Sequence, residues 1–184
     1  MKTLITSEKA IVKSSRISTA KTKSPEDIRS VFEEQLRQIY WCEKELAELL
    51  PSMAKLATSY ELTTAILAHL AVTENQIIRL IHVFDVVGER VVGKKCVAIE
   101  NIISANEDIQ LVESGYFRDS EIITISQKIM HYEIAAYGLL HELAVKLGED
   151  LAAEFLGTAI KEERNAHARL TEIRLSSIYF DAAS

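Results

Sequence analysis

Six polar side chains occupy positions where a helical apolar stripe would carry hydrophobic ones: Glu43, His69, Gln76, Glu133, Glu163 and His167. An unpaired charge buried in a helical core is costly, or is neutralised by a shift in pKa, so three carboxylates placed this way need a shared partner. A divalent cation is the economical one. Carboxylate oxygens mixed with imidazole nitrogen point to iron or manganese. The alternative is a metal-free hydrogen-bonded network that fixes helix register, for example Glu43 with Gln76 and Glu163 with His167. The residues alone leave both readings open and assign no catalytic side chain.

Four long helices must position these groups. Ser24-Pro25-Glu26-Asp27 reads as a helix start, with Ser24 as N-cap, proline in the first turn and acids beside the helix dipole. From there Phe32, Leu36, Ile39, Glu43, Leu46, Leu50 and Met53 recur at alternating spacings of four and three, one seam of a buried helix in which Pro51 predicts a kink. After a break at Ser59 and Tyr60 the stripe resumes as Leu62, Ile66, His69, Thr73, Gln76, Leu80, Val83 and Val87, and Gly88 closes it. Residues 89–118 lose the pattern apart from a short helix expected over 96–105, and are too long for a hairpin turn. Asp119 is the expected cap of a third helix with the seam Ile123, Ser126, Met130, Glu133, Tyr137, Leu140 and Ala144, ended by Gly148. The fourth starts near Asp150 and turns Leu156, Ala159, Glu163, His167, Leu170 and Ile173 inward, continuing to Tyr179 and Phe180. Two tight hairpins joined by a long crossover give an all-α, ferritin-like four-helix bundle.

Counting from the hairpin turns sets the depth of the polar positions. Glu43 lies 17 residues before Tyr60 and Gln76 lies 16 after it, while Glu133 and Glu163 each lie 15 from Gly148. All four are expected at mid-bundle. In di-metal bundles two helices each give one Glu and the other two each give Glu-x-x-His. Glu43 and Glu133 fill the single-Glu places, and Glu163 with His167 offers a four-residue version of the third motif. The second helix has Thr73 and Gln76 where the fourth would stand, with His69 about one turn away. One ion per chain is therefore expected rather than two. His131, Tyr40 and Tyr137 read as core packing with a satisfied polar tip, Cys42 and Cys96 as small core fillers, and Glu162 as facing solvent or a partner.

Composition narrows the class. The chain has 184 residues, two cysteines, two prolines and six glycines, which suits one helix-rich domain and argues against a disulfide framework. No apolar run approaches a membrane span and no signal-peptide pattern opens the chain, so a soluble cytoplasmic protein is expected. Residues 1–23 carry six basic side chains against Glu8, while the net charge of the whole is −6. They read as a basic disordered tail, and residues 24–184 as the acidic bundle domain, which disfavours nucleic acid as a partner.

Gln38-Ile39-Tyr40 with Glu43, His69-Leu70 with Thr73 and Gln76, Lys95-Cys96, His131-Tyr132-Glu133 with Ala136-Tyr137-Gly138, and Glu162-Glu163 resemble the YciE/YciF ferritin-like stress proteins of bacteria over roughly residues 27–175. The resemblance implies a ferritin-like fold, a cytoplasmic homodimer rather than a cage, a link to stress, and Glu43, His69, Glu133 and Glu163 as site positions. The family pattern implies acids where this chain has Ala71, Val72 and His167. Two functions follow as expectations. One is a metal-dependent oxidoreductase acting on iron, dioxygen or peroxide; the other is a non-catalytic dimeric helical protein whose core polar residues set register.

Overall fold

The computed structural model describes residues 24–181; the basic segment 1–23 and the side chains of Tyr179 and Phe180 lie outside the described residues. Helix α1 (Pro25–Leu56) opens with the expected capping box, in which Asp27 N donates to Ser24 Oγ at 3.2 Å and Ser24 N to Asp27 Oδ2 at 2.9 Å. It stays helical past Pro51. Helix α2 (Tyr60–Val86) starts at the Ser59 N-cap, and its buried residues follow the expected stripe to Val83, where Phe84 joins it and Val87 becomes the C-cap. Helix α3 (Val97–Ser104) and a 3-10 helix (Ala105–Leu111) occupy the crossover, followed by α4 (Tyr116–Leu147) and α5 (Asp150–Asp181).

Helix α4 begins four residues earlier than expected. Gly115 is its N-cap at φ 115°, a left-handed conformation that favours glycine, and Asp119 lies inside the first turn. The Asp119 carboxylate instead accepts from Thr58 N at 2.6 Å and Ser59 N at 2.8 Å, tying the α1–α2 turn to the start of α4. At the other end Arg29 of α1 pairs with Glu149 of the α4–α5 turn. These ties make α1 antiparallel to α4. In cross-section α1 neighbours α2 and α4, and α5 neighbours the same two, leaving α1/α5 and α2/α4 as diagonals. The crossover starts along α1, with Lys94 N donating to Arg37 O at 2.9 Å and Arg37 pairing with Glu89 at 2.8 Å, and its two short helices then pack chiefly on α4 and also touch α1.

The seams of α1, α2, α4 and α5 meet in one core in which Phe32, Phe84 and Tyr137 are fully buried, each contributing on the order of 1.5–3 kcal/mol by leaving water. Helix α4 also buries Ile122, Ile125 and Ile129, because Ile99 of α3 and Ile109 of the 3-10 helix cover that flank. No strand occurs among the described residues, and no helix there is long and apolar enough to cross a membrane.

Candidate metal centre

Midway along the bundle the seams turn polar together. Glu43, Thr73, Glu133 and Glu163 are fully buried, with His69 and Gln76 nearly so. One ligand atom each from His69, Glu133 and Glu163 lies within 4.8 Å of the others. Two donors at about 2.0–2.2 Å from one ion are at most about 4.4 Å apart, so small side-chain rotations close these three around a cation.

The pairing divides between two sides of the bundle. On the α2–α5 side, Glu163 Oε2 lies 3.0 Å from His69 Nε2, and Glu163 Oε1 accepts from Gln76 Nε2 at 2.7 Å. On the α1–α4 side, Glu43 Oε1 accepts from the Tyr137 hydroxyl at 2.6 Å. Glu43 Oε2, both oxygens of Glu133, His69 Nδ1, Thr73 Oγ1 and Gln76 Oε1 receive no N–H or hydroxyl from outside the cluster, and the carboxyls of Glu43, Glu133 and Glu163 are left to share protons among themselves. Buried polar atoms are normally satisfied, so this concentration of open acceptors at one level is what a cation would complete.

Electrostatics follows the same division. Burial, reinforced by the charge on Glu163, pushes the Glu43 carboxyl up to about 8, against the opposing hydrogen bond from Tyr137. Burial together with the charges of Glu163 and Glu43 holds Glu133 well above the carboxylate range. Burial works on Glu163 in the same sense, but the His69 contact and the Gln76 hydrogen bond outweigh it and leave Glu163 below the usual value. Without a cation, negative charge therefore concentrates on Glu163. Oxygen donors with one imidazole suit iron or manganese, and entry of the ion would release the protons held by Glu43 and Glu133.

Of the six residues singled out by sequence, the structure gathers Glu43, His69, Gln76, Glu133 and Glu163 and leaves His167 out. His167 is half-exposed, its Nε2 is 3.1 Å from His131 Nε2, and the two rings are 4.5 Å apart. A four-residue step turns a helix about 40° past the starting direction. The alternation of threes and fours from Leu156 through Ala159 and Glu163 to Leu170 places Ala166, not His167, in the seam, and Ala166 packs on the core. The pairs envisaged for a metal-free network, Glu43 with Gln76 and Glu163 with His167, are replaced by Glu43 with Tyr137 and Glu163 with His69 and Gln76.

Tyr137 is fully buried with its hydroxyl on Glu43, the core packing with a satisfied polar tip that was expected of it. Sequence reasoning missed two contributors. Glu162 is half-buried, pairs with Arg79 and accepts from Gln76 Nε2 at 3.2 Å, so it closes the outer edge of the cluster instead of facing solvent alone. Arg79 was legible only as the residue three beyond Gln76 on one helix face. Cys42 is fully buried and unpaired, and burial holds its thiol protonated, as a core filler requires.

Comparison with known proteins places this chain among relatives. The family model described as "Domain of unknown function (DUF892)" matches residues 27–182. Protein YciF of Escherichia coli strain K12 is 36% identical over 153 residues, which cover 82% of this chain and 92% of the relative. The crystal structure of the E. coli stress protein YciF superposes with a TM-score of 0.79 at 32% identity, covering 83% of this chain and 97% of that one. YcfI from Rhodopseudomonas palustris gives 0.75 at 35% identity, covering 81% and 94%. A protein from Xanthomonas campestris pv. campestris, at 20% identity and a TM-score of 0.67 over 83% and 94%, shares the fold.

Proposed function

We propose that this chain, which belongs to the DUF892 family, is a stress-associated protein that binds one iron or manganese ion in its bundle core and uses it in oxygen or peroxide chemistry. The observation that carries this reading is the buried convergence of His69, Glu133 and Glu163 within 4.8 Å, with both Glu133 oxygens and one Glu43 oxygen receiving no donor from outside the carboxyl cluster. Its association with stress is carried over from E. coli YciF, described as a stress protein.

His69, Glu133 and Glu163 would hold the ion, with Glu43 as the fourth protein ligand. Bound iron or manganese supplies one-electron exchange with dioxygen or peroxide. Gln76 fixes one oxygen of Glu163, Tyr137 fixes one oxygen of Glu43, and the Arg79–Glu162 pair shields this level of the α2–α5 interface from water. Three carboxylates and one histidine complete one site. A second ion would lack ligands, because Thr73 stands where a further acid would be required. Elemental analysis and anaerobic titration with ferrous iron should give one tight equivalent per chain, followed by slow oxidation in air. Two tight equivalents with rapid oxidation would replace this reading with a di-iron oxidase.

The second reading is a metal-free structural network in a non-catalytic protein. What favours it is that His69, Gln76 and Tyr137 already satisfy three carboxylate oxygens. Thermal melting separates the two, since an ion bound only by the folded state raises Tm and a chelator lowers it; a melt indifferent to chelator, iron and manganese favours the network. Under either reading the chain pairs with a second copy. Light scattering coupled to size exclusion should give about twice the 20.6 kDa chain mass. A mass of several hundred kilodaltons would instead indicate a storage shell.

A further inference from the structure

On the outer surface, where α4 meets α5, two histidines face each other that the core centre does not use. His131, expected to pack in the core, is exposed on α4, because a step of two residues from buried Glu133 turns a side chain to the far side of its helix. The four-residue step from Glu163 that takes His167 out of the seam brings it to His131. The two Nε2 atoms are 3.1 Å apart, the ring centres 4.5 Å apart, and the ring planes are tilted by 56°. One turn along from each histidine, Gln127 Nε2 donates to Thr171 Oγ1 at 2.8 Å and Arg174 Nη1 donates to Gln127 Oε1 at 3.2 Å. These cross-links hold the two helices in the register that pairs the rings.

We propose that His131 and His167 form a two-nitrogen surface clamp for a divalent transition ion of the nickel and copper class, separate from the core centre. Two nitrogens each about 2.1 Å from one ion lie about 3.0 Å apart when they subtend a right angle and about 3.4 Å apart at the tetrahedral angle. The ring centres, lying further out, are then about 4.6 Å and about 5.3 Å apart. Both observed separations match the right angle. That angle belongs to neighbouring ligands of a square-planar or tetragonal ion, the geometry of copper and nickel rather than of tetrahedral zinc. In the metal-free protein one Nε2–H can donate to the other Nε2, so the nitrogens are already held together. The ion takes the place of that hydrogen, which the ring carries on Nδ1 instead, and water fills the positions on the open side.

Charge selects the ion. Burial, followed by the charges of His131 and Arg174, lowers His167 from its ordinary value and favours the neutral ring that ligates. Two neutral nitrogens beside a guanidinium offer little to a hard ion such as magnesium or manganese, which prefers carboxylate and carbonyl oxygens, whereas nickel and copper bind imidazole strongly. The core centre, with three carboxylates around one imidazole, has the opposite preference. The two sites therefore sort ions by donor type.

Calorimetric titration of the full chain with nickel chloride, with manganese in excess to occupy the core, tests this. Nickel should bind saturably at about one equivalent per chain, and copper more tightly still. No saturable nickel binding, or its displacement by manganese, overturns the clamp, and tighter binding of zinc than of copper overturns the right-angle geometry. His131→Ala and His167→Ala should each weaken nickel at least about tenfold, since even the loss of a partner supporting a ligand costs that much. The double variant should lose little more, because the clamp is gone once either nitrogen is. Unchanged affinity in either folded single variant, or a loss in His82→Ala or His141→Ala, overturns the assignment. A second measurement needs no variant: substoichiometric copper added to the manganese-free protein should broaden the ring-proton NMR signals of His131 and His167 before those of His69, His82 and His141, and earlier broadening of any of those three rejects the clamp. Manganese content of the nickel samples keeps the two sites apart. Nickel binding without manganese rejects the core centre alone, and full manganese loading without nickel binding rejects the clamp alone.

Discussion

The α2–α5 and α1–α4 sides of the core hold similar carboxylates in opposite states. Glu163 has two close nitrogen partners, His69 Nε2 and Gln76 Nε2, and stays acidic; Glu43 has only oxygen partners, the Tyr137 hydroxyl and the Glu133 carboxyl, and is pushed up to about 8. The two residues are equally buried. Burial alone therefore does not decide whether a core carboxyl is charged; the kind and charge of its donors do. The α2–α5 side stores an anion ready for a cation, while the α1–α4 side stores a proton that a cation would displace.

The largest effect expected from breaking this asymmetry is at Glu163. Glu163→Leu strips His69 and Gln76 of their acceptor, which should cost about 3–5 kcal/mol and lower Tm by roughly 10 °C. Glu163→Gln preserves the shape and should keep the protein folded while weakening metal binding. Equal melting of the Leu and Gln variants would show that the α2–α5 contacts carry no stability.

Next in size is the pH dependence of the metal-free protein. The folded state holds protons on Glu43 and Glu133 that the unfolded chain has released above its ordinary carboxyl pKa of 4.5. The folded state thus binds more protons, and stability should fall as pH rises from about 5 towards 8. Added manganese should flatten this slope, because the ion replaces the protons. Denaturant melts at pH 5.5 and 8 in chelator would reveal the sign, and greater stability at pH 8 would contradict the protonated state assigned to the α1–α4 side.

The smallest effect is expected for Tyr137→Phe, which removes one hydrogen bond from Glu43 and should cost about 1 kcal/mol. With that donor gone the Glu43 carboxyl should titrate still higher, since the Tyr137 bond is the largest of the contacts that oppose its burial, ahead of Glu133 and Arg79. Carboxyl-resolved NMR titration would measure this. A downward shift would mean that Tyr137 does not set the state of Glu43.

Much of this architecture was written in local pattern. The Ser24 capping box, the stripes carrying Glu43, His69, Gln76, Glu133 and Glu163, and the closure at Gly148 all depend on residues within a few turns of one another. A helix must place positions three and four apart on one face, so the sequence by itself determined four helices, their seams and the common height of the polar positions. Partners across helices were another matter. Height along a hairpin does not say which way a side chain turns around its helix axis or which neighbour it meets. Glu43 therefore found Tyr137 rather than Gln76, and Glu163 found His69 rather than His167. Asp119 was diverted from capping its own helix because the α1–α2 turn presented two backbone amides to it. The open groove lined by Ala65 and Ala68 of α2 and Ala166 of α5 likewise joins residues about a hundred positions apart in the chain. Only the tertiary structure decided these pairings, because they are set by helix rotation and packing, quantities that no single helix's sequence contains.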